Sequence, residues 1–401
     1  MKRIMCTILM FLMIFVLFGC QNQFDNDVIT VWHDKEESVI QVLEDILAEE
    51  LPDVKIDFIR KESLTDTLKL VGNDANSAPD MYIFAHDKIG LFAEIGILSP
   101  ITEFIDVEQL EEYVDITIEG ATYKDEIYQL PFYFETLLFM YNKDRMSEEE
   151  VPKTSEELYQ YMVEHTDARR YGFVEQHSNA YYSAGWIHGF GGSLLSNDGV
   201  PLLDSAETKA ALAYHLKFIE YMPKGQAEYA TVNTLFYEKA ANSIIAGPWI
   251  VAQARENGID LGFARMPVID ETGLPIAPYA GIQGIHVLKI AAENDERKAV
   301  ITDILNVFTN PQIGIDMALN SGVAPAHSLA YEDEMITSNE LVMAMRDAAL
   351  DAIPMPNIPE MDIMWTTASN MLVDINLKGE DIETVVALAQ KESEDLIELM
   401  K

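Results

Sequence analysis

Three acidic residues in this chain sit where their chemistry would be usable. Glu135 lies inside an otherwise apolar run, Leu130-Pro-Phe-Tyr-Phe-Glu-Thr-Leu-Leu-Phe-Met140. Burying that charge unpaired is costly, so it should face a cleft or a partner. Asp34 and Asp87 close the tripeptides Trp32-His33-Asp34 and Ala85-His86-Asp87, each of which follows a β-rich stretch. Carboxylates in such places can accept strong hydrogen bonds from a polar ligand. A pair such as Asp87 and Glu135 could instead serve as acid and base in glycoside hydrolysis. The chain holds 67 acidic residues, so a carboxylate pair discriminates poorly between these uses. The eight histidines show no His-x-x-x-His or similar spacing, and no metal or cofactor is expected. Gly189 to Gly199 is glycine-rich but lacks the Lys-Ser/Thr signature of a phosphate loop.

The elements that must position these residues can be read from periodicity. Val28 to Trp32, Val54 to Ile59 and Met81 to Phe84 read as strands. Lys35 to Leu51, with its stripe of Val39, Ile40, Val42, Leu43, Ile46 and Leu47, reads as a helix, as do Ser63 to Val71 and Asp87 to Ile95. This β-α-β-α-β order predicts a parallel sheet covered on both faces. Ligands of such sheets bind beyond the carboxyl ends of the strands, where Asp34 and Asp87 fall. Farther on, helices are expected over residues 155–165, 205–221, 231–241, 249–256, 295–309, 312–319, 361–375 and 380–400. Short strands are expected at residues 172–174, 243–245, 261–263 and 280–285.

At the start of the chain, Met1-Lys2-Arg3 precedes an apolar run from Ile8 to Phe18 that ends in Leu17-Phe18-Gly19-Cys20. The run has the length of a signal-peptide core and is short for a membrane span. Its end resembles a bacterial lipobox. Residues 1–19 are therefore expected to be a lipoprotein signal peptide and Cys20 the lipid-bearing residue, with residues 20–26 a tether. The other cysteine, Cys6, lies in the leader, so no disulfide framework is expected.

The net charge is -40. Nucleic acid needs clustered Lys and Arg and is excluded as a partner on that ground. Anionic membrane surfaces would repel the body of the protein. The 401 residues suit two or three domains, and a hydrophobic fraction of 49% supplies real cores.

Four stretches together resemble the maltose-binding protein family of ABC-importer solute receptors. They are Ala78-Pro-Asp-Met-Tyr-Ile-Phe-Ala-His-Asp-Lys-Ile-Gly90, Leu130 through Asp144, Ala246-Gly-Pro-Trp249 and Met355-Pro-Asn-Ile-Pro-Glu-Met-Asp-Ile-Met-Trp365. The resemblance spans nearly the whole chain after the leader. It implies an α/β fold of two lobes, each a sheet flanked by helices, joined by a hinge, with sugar held between the lobes. The first lobe would be residues 27–133 plus 284–332 and the second 138–279 plus 338–401. Hinges would fall near 133–137, 279–284 and 333–337.

The resemblance also implies a ligand set. Trp249, Trp365 and Tyr181 match stacking aromatics, and stacking suits the C–H faces of a sugar ring. Asp87 and Glu135 match hydroxyl-binding carboxylates. Lys88 stands where the family commonly has arginine, and Phe84 where it has tryptophan. Asp34 and Lys35, beside Trp32, match an Asp-Lys pair with a slipped register. Asn179 falls at a glutamate position. His86 is expected to be structural. The implied protein is not an enzyme. It is a lipid-anchored monomer on the outer face of the membrane of a Gram-positive bacterium, which captures malto-oligosaccharides and delivers them to an ABC importer's permease subunits. Another oligosaccharide or a cyclodextrin is the alternative ligand, and a glycoside hydrolase the weaker reading.

Overall fold

The computed structural model describes residues 28–225 and 227–400. The leader and the lipidation candidate Cys20 lie outside the described residues.

The predicted β-α-β-α-β start is present. Strand β1 (Val28–His33) pairs in parallel with β2 (Lys55–Arg60) and with β3 (Met81–Ala85). The crossovers are helices α1 (Glu37–Glu50) and α2 (Leu64–Val71). Helix α1 buries Val39, Ile40, Val42, Leu43 and Leu47, the stripe that its 3.6-residue period predicts. The other half of this sheet comes from distant sequence. Strand β4 (Leu130–Thr136) and the long strand β9 (Tyr279–Leu288) run antiparallel to each other, and β9 runs antiparallel to β3. The sheet is therefore mixed rather than purely parallel. Its order is β10-β4-β9-β3-β1-β2, with β10 at Ala324–Pro325.

A second sheet holds β5 (Leu138–Asn142), β6 (Tyr171–Val174), β7 (Ala241–Ala246) and β8 (Leu261–Ala264), in the order β8-β5-β7-β6. Only Leu137 separates β4 from β5, so the chain passes from one sheet to the other within a single residue. Each sheet has a core of its own, and a further cluster with Phe134, Ile282, Leu138 and Ile244 spans both. Ile29, Val31, Leu43, Ile285 and Ile304 belong to the first, and Phe139, Met162, Phe173 and Phe218 to one of the second. The fold is two-lobed α/β, with helices flanking both sheets.

Glycine is required at one crossing of these strands. A Cβ on Gly284 would lie 2.3 Å from the carbonyl oxygen of Leu130. The ladder between β4 and β9 slips at this point, between Gln283 and Gly284, opposite Tyr133 and Pro131. Pro131 has no N–H to offer the ladder, which suits a break there.

Candidate ligand-binding cleft

The ends of β1 and β3, the C-terminal end of β4, and the mid-part of β9 bring one group of charges together. The Lys35 ammonium lies 2.7 Å from Asp34 Oδ1. It donates to Gln283 Oε1 at 2.7 Å, and Gln283 Nε2 donates to Glu135 Oε1 at 3.3 Å. Lys35 Nζ also stands 5.5 Å over the ring of Phe84. Asp34, Lys35, Phe84, Gln283 and Glu135 thus form one connected wall. Burial raises the Glu135 carboxyl pKa, and the nearby Asp34 adds to this, while Lys35 and the amide of Gln283 hold it down.

Asp87 and Lys88 lie in the turn that follows β3 and are mostly buried side chains. They pair at 3.0 Å. Lys88 also makes a close ion pair with Asp362, and Lys69 lies 3.5 Å from the same carboxylate. Burial opposes the charge on Lys88, but the two carboxylates outweigh it and its pKa stands above the usual lysine value. Asp362 is in the first turn of helix α8 (Met361–Asn376), where a negative charge suits the helix dipole. Helix α8 packs in the second lobe with α3 (Ala180–His188) and α9 (Ile382–Met400). The Lys88–Asp362 pair therefore crosses from one lobe to the other.

A further group is aromatic. The Tyr181 ring lies 6.5 Å from that of Trp249 and 6.3 Å from that of Trp365, tilted by 43° and 58°. Tyr279 meets Trp365 edge-on at 5.5 Å. Tyr181 and Trp365 are half-buried, and Trp249 is exposed. Asn179 caps α3, its Oδ1 accepting from Tyr181 N at 2.9 Å, so this amide fixes the turn that carries the ring. The Tyr181 hydroxyl is pushed well above its ordinary pKa by burial, and after that by the charges of Glu135 and Asp87.

Of the residues singled out in the sequence, Trp32 is the one that does not join this cluster. It is buried among Leu64, Leu68, Tyr82 and Phe92, on the face of β1 that α2 covers. Lys61 Nζ lies 4.4 Å over its ring. The reason is register: Asp34 and Lys35 extend past the sheet edge, whereas Trp32 is still within the ladder, opposite Tyr82 and Ile59. His86 is structural. Its Nε2 lies 2.9 Å from the Met355 carbonyl, and its Nδ1 accepts from Ile282 N at 3.1 Å.

Two cleft residues were missed by sequence reasoning. Gln283 is a polar side chain within the apolar run of β9, the same signal that singled out Glu135. Asp362 lies one helical turn before Trp365, so both project from one face of α8.

Among the described residues no group of three or more His, Cys, Asp or Glu is placed to hold a metal ion. None of their helices is long and apolar enough to cross a membrane. What the cleft can do is bind: a charged wall supplies oriented hydrogen bonds, and a wall of rings supplies flat apolar faces.

Comparison with known proteins agrees with this fold. The profile of the family described as bacterial extracellular solute-binding protein matches residues 45–344. A maltotriose-binding protein of Pyrococcus abyssi is 31% identical over 91% of this chain and 81% of its own length. A galactooligosaccharide-binding protein of Bacillus subtilis is 29% identical over 86% and 83%. A solved cyclo/maltodextrin-binding protein, complexed with maltotetraose, superposes with a TM-score of 0.84 at 22% identity, over 95% of this chain and 100% of that one.

Proposed function

This chain belongs to the family of bacterial extracellular solute-binding proteins, and we propose that within it the protein is a receptor for malto-oligosaccharides. The family is one of substrate-binding proteins rather than enzymes. The observation that carries the reading is the pairing of unlike walls. Asp34, Lys35, Glu135, Asp87 and Lys88 offer charge-assisted hydrogen bonds to a hydroxyl rim. Tyr181, Trp249 and Trp365 offer stacking faces.

Capture works by closure. Sugar that bridges both walls makes more contacts when the lobes are shut, so it favours the shut state by that difference in affinity. The pivots of this motion are residues 133–137, where one residue joins two sheets, with 279–284 and 333–337. The lobes are residues 27–133 plus 284–332, and 138–279 plus 338–401. Cys20 carries the lipid that holds a monomeric receptor at the outer face of a Gram-positive cell membrane, next to the permease subunits of an ABC importer that accept the sugar.

The test is small-angle scattering of the chain lacking residues 1–19. Maltotriose should reduce the radius of gyration, and an unchanged radius at saturating sugar overturns the closure mechanism. A second ligand class has a specific observation in its favour, the similarity to a galactooligosaccharide-binding protein. The same experiment with a β-linked galacto-oligosaccharide separates the two, since only the true ligand compacts the protein. Incubation with maltotetraose should yield no shorter glucans, and product formation would restore the hydrolase reading.

A further inference from the structure

We propose that Gln283 is a positioning residue of this cleft, whose amide ties the Lys35 ammonium to the Glu135 carboxylate and presents both to the ligand. The inference rests on the ligand-binding reading of the site.

Gln283 is buried on β9, the strand that pairs with both β3 and β4. Its amide uses both ends. Oε1 accepts from Lys35 at 2.7 Å and Nε2 donates to Glu135 at 3.3 Å. The side chain sits where the β4–β9 register slips opposite Pro131, and β-bulges of this kind re-aim a side chain. Gly284 permits that approach, because a Cβ there would strike the Leu130 carbonyl.

An amide suits this place better than direct contact. If Lys35 and Glu135 met as an ion pair, each would satisfy the other and little would remain for a ligand. The neutral spacer holds both charges apart and fixes their direction. Lys35 has three N–H groups, of which Gln283 takes one and Asp34 lies close to another. Glu135 Oε2 has no hydrogen-bond partner among the described residues. One ammonium proton and one carboxylate oxygen are therefore left for hydroxyl groups. The charged and titratable groups facing Glu135 are Lys35 and Asp34 from the end of β1, Tyr133 on β4, and Tyr181 and Tyr182 on α3.

The substitutions that test this are Gln283→Glu, which keeps the shape and removes the donor to Glu135, and Gln283→Leu, which removes both bonds. The Glu135 carboxyl is followed by carbon-13 NMR against pH in unliganded protein, and maltotriose affinity by calorimetry from pH 4 to 8. Loss of the donor should move the Glu135 titration upward, by on the order of one pH unit where Gln283→Glu adds a like charge. The acid limb of the affinity profile should move with it, and affinity at pH 7 should fall about tenfold in Gln283→Leu. A Glu135 titration that stays put in Gln283→Glu, with maltotriose affinity unchanged across the pH range, overturns the proposal. Should Gln283→Leu fail to fold, the isosteric Gln283→Glu still decides it. Absence of sugar binding by the wild-type chain would instead defeat the ligand reading, because the NMR titration needs no sugar.

Discussion

The indole of Trp249 folds back over the α-carbon of Gly247. A Cβ at position 247 would lie 2.1 Å from the ring. Glycine is needed here for space rather than for an unusual dihedral, since its φ is -91°. Pro248 then opens the helical turn that follows, where its missing N–H is no loss. The Gly-Pro-Trp block thus lays the indole over the backbone at Gly247.

Gly247→Ala should therefore act on the ring and not on the core. Trp249 is exposed and can swing away, so the fold survives. Sugar affinity should fall nearly as much as in Trp249→Ala, with the urea midpoint changed little. Calorimetry and urea unfolding on the same variant check this. A strongly lowered midpoint with intact affinity would mean that the ring packs for stability alone.

The Lys88–Asp362 pair links the lobes and should be measurable as a coupling. Both side chains are partly sheltered, so the pair should exceed an exposed ion pair, at about 1 kcal/mol. A double-mutant cycle of Lys88→Gln and Asp362→Asn in urea unfolding measures it. Lys69 should retain part of the interaction when Lys88 is lost, given its 3.5 Å approach to Asp362. The coupling should shrink in high salt. A coupling near zero at low salt would mean that this pair does not hold the lobes together.

Acid should destabilise the protein through its buried histidines. Burial lowers the pKa of His286 to about 3 and those of His188 and His177 to about 4. Each group takes up its proton more readily when unfolded. Their contribution is fully present above the ordinary histidine pKa of about 6.5. It is lost as pH falls from there toward 4 and 3. The slope should approach roughly 1.4 kcal/mol per pH unit for each histidine. Glu135, with its raised pKa, works the opposite way and offsets a small part. Urea unfolding at pH 7 and pH 5 measures the difference, and equal stability at the two pH values would contradict it.

Much of the first lobe was legible because its sequence obeys simple periods. The α1 stripe and the alternation of β2 predict elements that the structure places within one or two residues. The antiparallel pairing in that sheet was not legible, although a strand was expected at residues 280–285, within β9. Strands β4 and β9 are nearly fully buried, so they show continuous apolar runs with no alternation, and their partners lie some 150 residues apart in the chain. Expected site residues came together in groups: Asp87 with Lys88, Lys35 with Glu135 through Gln283, and Tyr181 with Trp249 and Trp365. Trp32 misled because a strand-end aromatic can point to either face, and here it points under α2. Gln283 and Asp362 were passed over because their partners, Lys35 with Glu135 and Lys88, are brought close only by the tertiary fold.

Whether this protein grips sugar between aromatic rings is decided by titrating maltotriose into the chain lacking residues 1–19, beside its Trp249→Ala and Trp365→Ala variants, in a calorimeter. The parent chain should bind saturably, one sugar to one protein. Each variant should lose about 2 kcal/mol or more of binding free energy, some thirtyfold in affinity, while remaining folded. No saturable heat with maltotriose or longer α-glucans, or affinities unaltered by both substitutions, would contradict it.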